Sequence, residues 1–221
     1  MFKKILIAED YESANLSVQK VLEELNIKNV DHVYYCDDAL AKIKKGIRKN
    51  IPYDLLITDL SFEEDHYTQK IKDGKELIKH IKREDPRIKV IVFSSENRSG
   101  IIDSLFNNYE IDGYVRKARS DNKDLKQAIH EIFNDQKYLT DDLQKSVKNL
   151  NAYELSTYDH TLISCLTQGI LRKEIPAYLQ KHNIKPNSLS SIEKRLNQIK
   201  ESLNVANNEQ LIAVCKDLGI I

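Results

Sequence analysis

Five side chains stand directly behind apolar runs and carry the groups that phosphoryl chemistry needs. Glu9 and Asp10 follow "ILIA", Asp59 follows "LLIT", Ser94 follows "VIVF" and Lys117 follows "GYVR". Three neighbouring carboxylates raise one another's pKa unless a cation sits among them. A set of oxygen ligands suits Mg²⁺, which keeps several waters and usually shares its shell with phosphate. A carboxylate beside such an ion can act as a nucleophile and form an aspartyl phosphate. A lysine and a hydroxyl then suit the phosphoryl oxygens, because phosphoryl transfer is mostly positioning and charge stabilisation. Any one of these residues alone reads as a cap, a turn or a solvated charge.

What makes them a set is the framework that must position them. Strands are predicted at Lys4–Ala8, Val30–Tyr35, Asp54–Thr58, Lys89–Phe93 and Ile111–Arg116, each an apolar run bounded by polar chain. Amphipathic stretches at helical spacing separate them. Leu16, Val21, Leu22 and Leu25 mark the first, Ala39, Leu40, Ile43 and Ile47 the second, and Leu77, Ile78 and Ile81 the third. Ile101, Ile102, Leu105 and Phe106 mark the fourth, and Leu125, Ala128, Ile129 and Ile132 the fifth. Such alternation predicts an α/β domain with a flavodoxin-like, doubly wound, five-stranded parallel sheet in the order 2-1-3-4-5. In open parallel sheets, ligands bind beyond the carboxyl ends of the strands, which is where the five side chains fall. Strand two ends at Cys36 and offers no charge.

Composition narrows the class. The chain has 221 residues, 34 basic against 34 acidic, so bulk charge gives no support to nucleic-acid binding and any such case must be local. No apolar run approaches the roughly 20 residues that span a bilayer. The apolar start stops at Asp10, too early for a signal peptide, and the expected location is the cytoplasm. Cys36, Cys165 and Cys215 are odd in number and far apart, which fits buried, reduced thiols rather than a disulfide scaffold or a cysteine zinc site.

After Phe133 the pattern changes. Residues 136–154 are polar and read as a partly helical linker, and 155–221 carry only helix signals. Helices are expected at Tyr158–Gln168, Arg172–His182, Ile192–Leu203 and Asn208–Leu218, with Gly169 as a stop. Residues 181–200 hold Lys181, Lys185, Lys194, Arg195 and Lys200 against Glu193 alone. Lys194, Asn197 and Gln198 share one helix face, opposite Ile192, Leu196, Ile199 and Leu203. Such a helix can enter a major groove.

Over roughly residues 2–135 the sequence resembles the receiver domain of two-component response regulators. The resemblance rests on the acidic pair, Asp59, Ser94 and the Lys117 that follows "DGYVR". It implies Asp59 as phosphoacceptor, Glu9 and Asp10 as Mg²⁺ ligands together with Asp59 and the Ser61 carbonyl, Ser94 as switch hydroxyl, Lys117 as phosphate-binding lysine and Tyr114 as switch aromatic. Two features depart from the family. No Met-Pro follows Asp59, and Gly74 stands fifteen residues beyond it rather than eight. The insert "EEDHYTQKIKD" is too polar for core, so a lid or partner surface is expected, with His66 an exposed loop residue. Ala118 stands where many receivers have proline.

The C-terminal segment resembles LuxR-type helix-turn-helix domains, which NarL/FixJ-type regulators place behind a receiver. Gly169, Lys173-Glu174-Ile175 and Leu179 match the scaffold helix; Ser191-Ile192-Glu193-Lys194-Arg195, Ile199, Leu203 and Val205 match the recognition helix. The turn from Leu179 to Ser191 spans twelve residues where the family usually has six, and Pro176 replaces the usual alanine. The expected DNA contacts are Lys185, Ser191, Lys194, Arg195, Asn197, Gln198 and Lys200. Lys194 and Asn197 are expected nearest bases, and Arg195 and Lys200 nearest phosphates.

The sequence therefore reads as a domain at 1–135 phosphorylated on Asp59 by a histidine kinase or phosphotransfer protein. That domain would control a DNA-binding domain at 155–221, acting as a homodimer on double-stranded DNA and without membrane contact. The alternative is a receiver whose helical output binds protein or RNA. An aspartyl-phosphate phosphatase resembling the haloacid dehalogenases needs a second Asp two residues after the nucleophile, where Ser61 stands. No turnover beyond slow self-dephosphorylation is expected.

Overall fold

The structure, a computed structural model, describes residues 1–63, 66–144, 147, 155–203 and 205–221. Most of the expected linker, and Glu64 and Asp65 of the insert, lie outside the described residues. The chain forms two compact units, one of Met1–Asn97 with Ile102–Gln144 and one of Arg98–Ile101 with Lys145–Ile221.

The first unit runs β1 (Ile5–Ala8), α1 (Glu12–Glu24), β2 (Val30–Val33), α2 (Cys36–Arg48), β3 (Leu55–Thr58), α3 (Gly74–Glu84) and β4 (Lys89–Ser94). It continues through the greater part of α4 (Ser99–Asn108), from Ile102 on, then β5 (Gly113–Arg116), α5 (Asp121–Phe133) and β6 (Tyr138–Leu139). All strand pairs are parallel and the sheet order is β2-β1-β3-β4-β5-β6. Every residue of β1 and β3 is buried, as a sheet covered by helices on both faces requires.

One core cluster joins Ile5, Ile7, Ile57, Ile91 and Phe93 of the strands to Val18, Val21 and Leu22 of α1 and to Leu125, Ala128, Ile129 and Ile132 of α5. Burying side chains of this size contributes about 1.5–3 kcal/mol each. The helix ends follow local rules. Asp73 caps α3, accepting from the Glu76 amide at 2.8 Å, and α2 carries acids in its first turn and Lys45 and Arg48 in its last.

Two expectations change here. The sheet has six strands, not five. β6 is only two residues long and sits in polar chain, below the length at which alternation is readable. Leu16 is 58% exposed, and its expected place on the inner face of α1 belongs to the neighbouring Asn15. Asn15 is buried because Gln19 donates to its side-chain oxygen at 2.9 Å.

The second unit holds α6 (Thr157–Thr167), α7 (Ile175–Lys181), α8 (Leu189–Ser202) and α9 (Asn208–Asp217). Leu162, Ile163, Ile175, Leu179, Ile192, Leu196, Ile199 and Leu211 form its core, with Cys165 and Cys215 as small buried hydrophobes. Gly169 has φ +75°, the left-handed conformation that ends α6. α7 begins three residues later than expected, at Ile175, and Pro176 sits in its first turn, where no amide is needed.

Candidate phosphoacceptor site and helix-turn-helix face

The carboxyl ends of β1, β3, β4 and β5 bring the first constellation together. Glu9 and Asp59 are 2% and 5% exposed, and Ser94 1%. Lys117 reaches both carboxylates, its Nζ lying 2.6 Å from Asp59 Oδ2 and 2.8 Å from Glu9 Oε2. Register explains how it gets there. Ser94 stands opposite Arg116, and the Lys117 amide donates to the Ser94 carbonyl at 2.8 Å. The last residues of β4 and β5 are thus fixed side by side.

Asp59 is held from below as well. Its Oδ1 accepts from the Leu60 amide at 2.5 Å and more weakly from the Ser61 amide at 3.4 Å. Gly74 presses on its backbone, since a Cβ there would lie 2.0 Å from the Asp59 carbonyl oxygen. The Gly74 amide donates to the Leu60 carbonyl at 2.9 Å. The glycine fifteen residues on therefore packs against the Asp59 strand end despite the insert that separates them in sequence. Asp37 fastens the loop's far side, accepting from the Lys70 and Ile71 amides at 2.7 and 3.3 Å. Tyr67 stacks on Tyr35 with ring centroids 5.4 Å apart. His66 is exposed.

The electrostatics favour a cation. Carboxylate oxygens of Glu9, Asp10 and Asp59 lie within 4.8 Å of one another. Burial, helped by Asp59, pushes the Glu9 pKa up against the opposing pull of Lys117. Burial would lower the Lys117 pKa, but its bonds to Asp59 and Glu9 outweigh this and raise it. Asp10 accepts from the Glu63 amide through Oδ2 at 2.7 Å, while its Oδ1 is buried without a hydrogen-bond partner. A buried carboxylate oxygen left unsatisfied beside two other acids is what a hard oxygen-binding cation would satisfy, so the residues present fit Mg²⁺. Ser61 meets Asp59 through its amide.

Tyr114 is fully buried, not the half-exposed tyrosine its strand position also allows. Its hydroxyl donates to the Glu96 carbonyl at 2.6 Å, and burial drives its pKa up. Ser94 lies beneath the same loop, its Oγ accepting from the Glu96 amide at 3.5 Å. Serine and tyrosine are thus linked through the loop that follows β4.

On α8 the expected contact residues divide. Lys194, Asn197 and Gln198 are exposed on one face, as is Lys185 in the preceding turn; Ser191 and Lys200 are partly buried. Ser188 caps the helix, accepting from the Ser191 amide at 3.3 Å. Arg195 behaves differently from its expected phosphate role. Its Nε and Nη2 each lie 2.7 Å from an oxygen of Asp159, which is fully buried in the first turn of α6. Asp159 also accepts from the Ser156 amide and hydroxyl at 2.8 and 2.7 Å, closing a capping box. Sequence reasoning missed this pair, because thirty-six residues separate its members and nothing local marks Asp159 as more than a helix-start acid. Thr140, whose hydroxyl accepts from the Arg116 amide at 3.0 Å, was missed for the same reason.

A family model for the response regulator receiver domain matches residues 5–130. The transcriptional regulatory protein RcsB of Salmonella typhi is 27% identical over 216 residues, covering 94% of this chain and 91% of that protein. RcsB of Escherichia coli K12 is 26% identical over the same coverage. A solved structure of two RcsB dimers bound to two parallel DNAs aligns at a TM-score of 0.67 and 25% identity, covering 98% of each chain. A Salmonella typhimurium RcsB structure aligns at 0.70 and 24%, covering 97% of this chain and 99% of that one, and repeats the fold. With the receiver pattern spanning more than half its length and its acids and lysine gathered at one end of the sheet, the chain belongs to the response regulator receiver family.

Proposed function

We propose that residues 1–135 accept a phosphoryl group on Asp59 and that this controls DNA binding by residues 155–221, and with it transcription. The observation that carries the reading is Lys117 bridging Asp59 and Glu9 beside the unsatisfied oxygen of Asp10. The donor is a phosphohistidine on a histidine kinase or phosphotransfer protein. An Asp59 carboxylate oxygen attacks phosphorus, the new O–P bond forms as the P–N bond breaks, and the imidazole nitrogen leaves. Glu9, Asp10, Asp59 and the Ser61 carbonyl would hold Mg²⁺, which when bound offsets charge on the phosphoryl oxygens. Lys117 neutralises the charge that remains, and Ser94 supplies a hydroxyl. Water slowly hydrolyses the acyl phosphate, and the proposal includes no other turnover.

The DNA reading is supported by the exposed Lys194–Asn197–Gln198 face of α8 and by the likeness to RcsB, whose solved structures include complexes with DNA. Lys194 and Asn197 face bases, while Lys200 and Lys185 face phosphates, with Ser191 and Gln198 at the margin. Arg195 serves as the clamp to Asp159. One small recognition helix buries too little surface for strong specific binding. A two-fold dimer on an inverted repeat, with half-sites about one helical turn apart, is therefore part of the proposal. With a histidine kinase and DNA as partners, a cytoplasmic location is part of the proposal. No helix among the described residues is long and apolar enough to cross a membrane. Selection of DNA sites by the purified protein, with and without a small-molecule phosphodonor, tests the reading. It expects an inverted repeat enriched more strongly with the donor. Enrichment of no sequence, with salt-insensitive retention, would favour an output that binds protein instead.

A further inference from the structure

The stretch of chain that leaves α5 is fastened to β5 more densely than a two-residue strand needs. The Tyr138 amide donates to the Asp112 carbonyl at 3.1 Å and the Thr140 amide to the Tyr114 carbonyl at 3.2 Å. The Thr140 hydroxyl donates to that same carbonyl at 3.3 Å and accepts from the Arg116 amide at 3.0 Å. Arg116 in turn pairs with Asp142 at 2.7 Å, and Gln144 closes back on the Leu139 carbonyl at 2.9 Å. Thr140 is 6% exposed, so its own bonds are shielded from water. The two consecutive peptides that flank Arg116 are consequently both held: the Arg116 amide by Thr140, and the Lys117 amide by the Ser94 carbonyl.

We propose that Thr140 is a positioning residue for the phosphoacceptor site. It fixes the end of β5 from which Lys117 reaches Asp59 and Glu9, and through it β6 carries the state of that site into the segment that continues toward the helical unit. The inference rests on the reading of Asp59 as phosphoacceptor. Its physical basis is that a strand ending in bonds to Tyr114 and Arg116 cannot keep its geometry if either peptide moves. Lys117, bonded to Asp59 directly, moves them when charge and bulk are added there.

Amide hydrogen exchange on the full chain, with and without beryllofluoride plus Mg²⁺, tests it. In the wild type, exchange should change in peptides covering 55–62, 113–117 and 136–144. In T140V the Arg116 amide should exchange about tenfold faster without any probe, since its acceptor is gone. The response of 136–144 should vanish and labelling by a small phosphodonor should slow, with T140S restoring both. A wild type in which 55–62 and 113–117 respond while 136–144 does not would overturn the coupling. T140V indistinguishable from wild type in Arg116 exchange and labelling would overturn the positioning role. No response at 55–62 would remove the phosphoacceptor reading and the inference with it.

Discussion

Replacing Asp159 by alanine isolates the clamp on Arg195, the side chain whose sequence position suggests a DNA-phosphate contact. Both carboxylate oxygens are committed, to Arg195 Nε and Nη2 and to the Ser156 amide and hydroxyl. Losing the capping half costs about 0.5–2 kcal/mol. Losing the charge-assisted bonds to Arg195 costs about 1.5–3 kcal/mol. The freed guanidinium is 37% exposed and recovers water, so the larger penalty for stranding a buried charge does not apply in full. The total is about 2–5 kcal/mol. Native-state hydrogen exchange in the full chain reads it directly: amides of α6 and α8 that open with the helical unit should exchange about 30- to 5,000-fold faster in Asp159→Ala. The sign of the pH dependence follows from the pair. Burial pushes the Asp159 pKa up, but Arg195 and Ser156 outweigh it and hold it below its ordinary 3.8. A depressed carboxylate stabilises fully above that value and loses the contribution as pH falls through its folded pKa, so the gap between wild type and variant should close in acid. Unchanged exchange in α6 and α8, or an Arg195→Ala variant that keeps its stability yet flattens the salt dependence of DNA binding by about one unit, would rule out a structural role for the clamp.

Gly74→Ala should lower stability by about 1–3 kcal/mol or more and slow Asp59 labelling, because its Cβ collides with the Asp59 carbonyl; urea unfolding together with phosphate labelling checks it. Asp10→Ala should abolish Mg²⁺-dependent labelling, as measured by titrating Mg²⁺ against incorporation from a small phosphodonor; unchanged dependence would count decisively against the metal assignment. Lys117→Met should slow labelling about 10²–10³-fold, the usual cost of removing one positioned charge donor, measured by single-turnover incorporation. Lys194→Ala or Asn197→Ala should cost about 1–3 kcal/mol at particular bases, while Lys200→Ala should weaken all sequences alike; binding isotherms on point-mutated sites separate the two patterns.

The sheet and the acidic site were legible because parallel strands buried on both faces announce themselves as apolar runs, and open α/β sheets put their chemistry at the strand ends. Each of Glu9, Asp59, Ser94 and Lys117 could thus be placed from local sequence once the strand was found. The limits were equally physical. β6 is made by hydrogen bonds to β5 rather than by its own pattern, and Asn15 shows that a paired polar residue can occupy an inward position that hydrophobicity assigns to Leu16. The spacing of Gly74 from Asp59 looked like a departure from the family. In space the glycine still meets the Asp59 backbone. On α8 the buried and exposed faces followed helical periodicity, yet Arg195 turned toward Asp159, a choice only the tertiary fold makes.

Everything proposed for this chain turns on Asp59 carrying the phosphoryl group. Incubation of the full chain with a small-molecule phosphodonor and Mg²⁺, followed by borohydride reduction and peptide mass mapping, locates an acyl phosphate by the residue it converts. One converted position is expected, Asp59, and an Asp59→Asn variant should take up no label while its amide exchange stays native outside the site. Label persisting on that variant, or conversion mapped to Glu9 or Asp10 in the wild type, would contradict it.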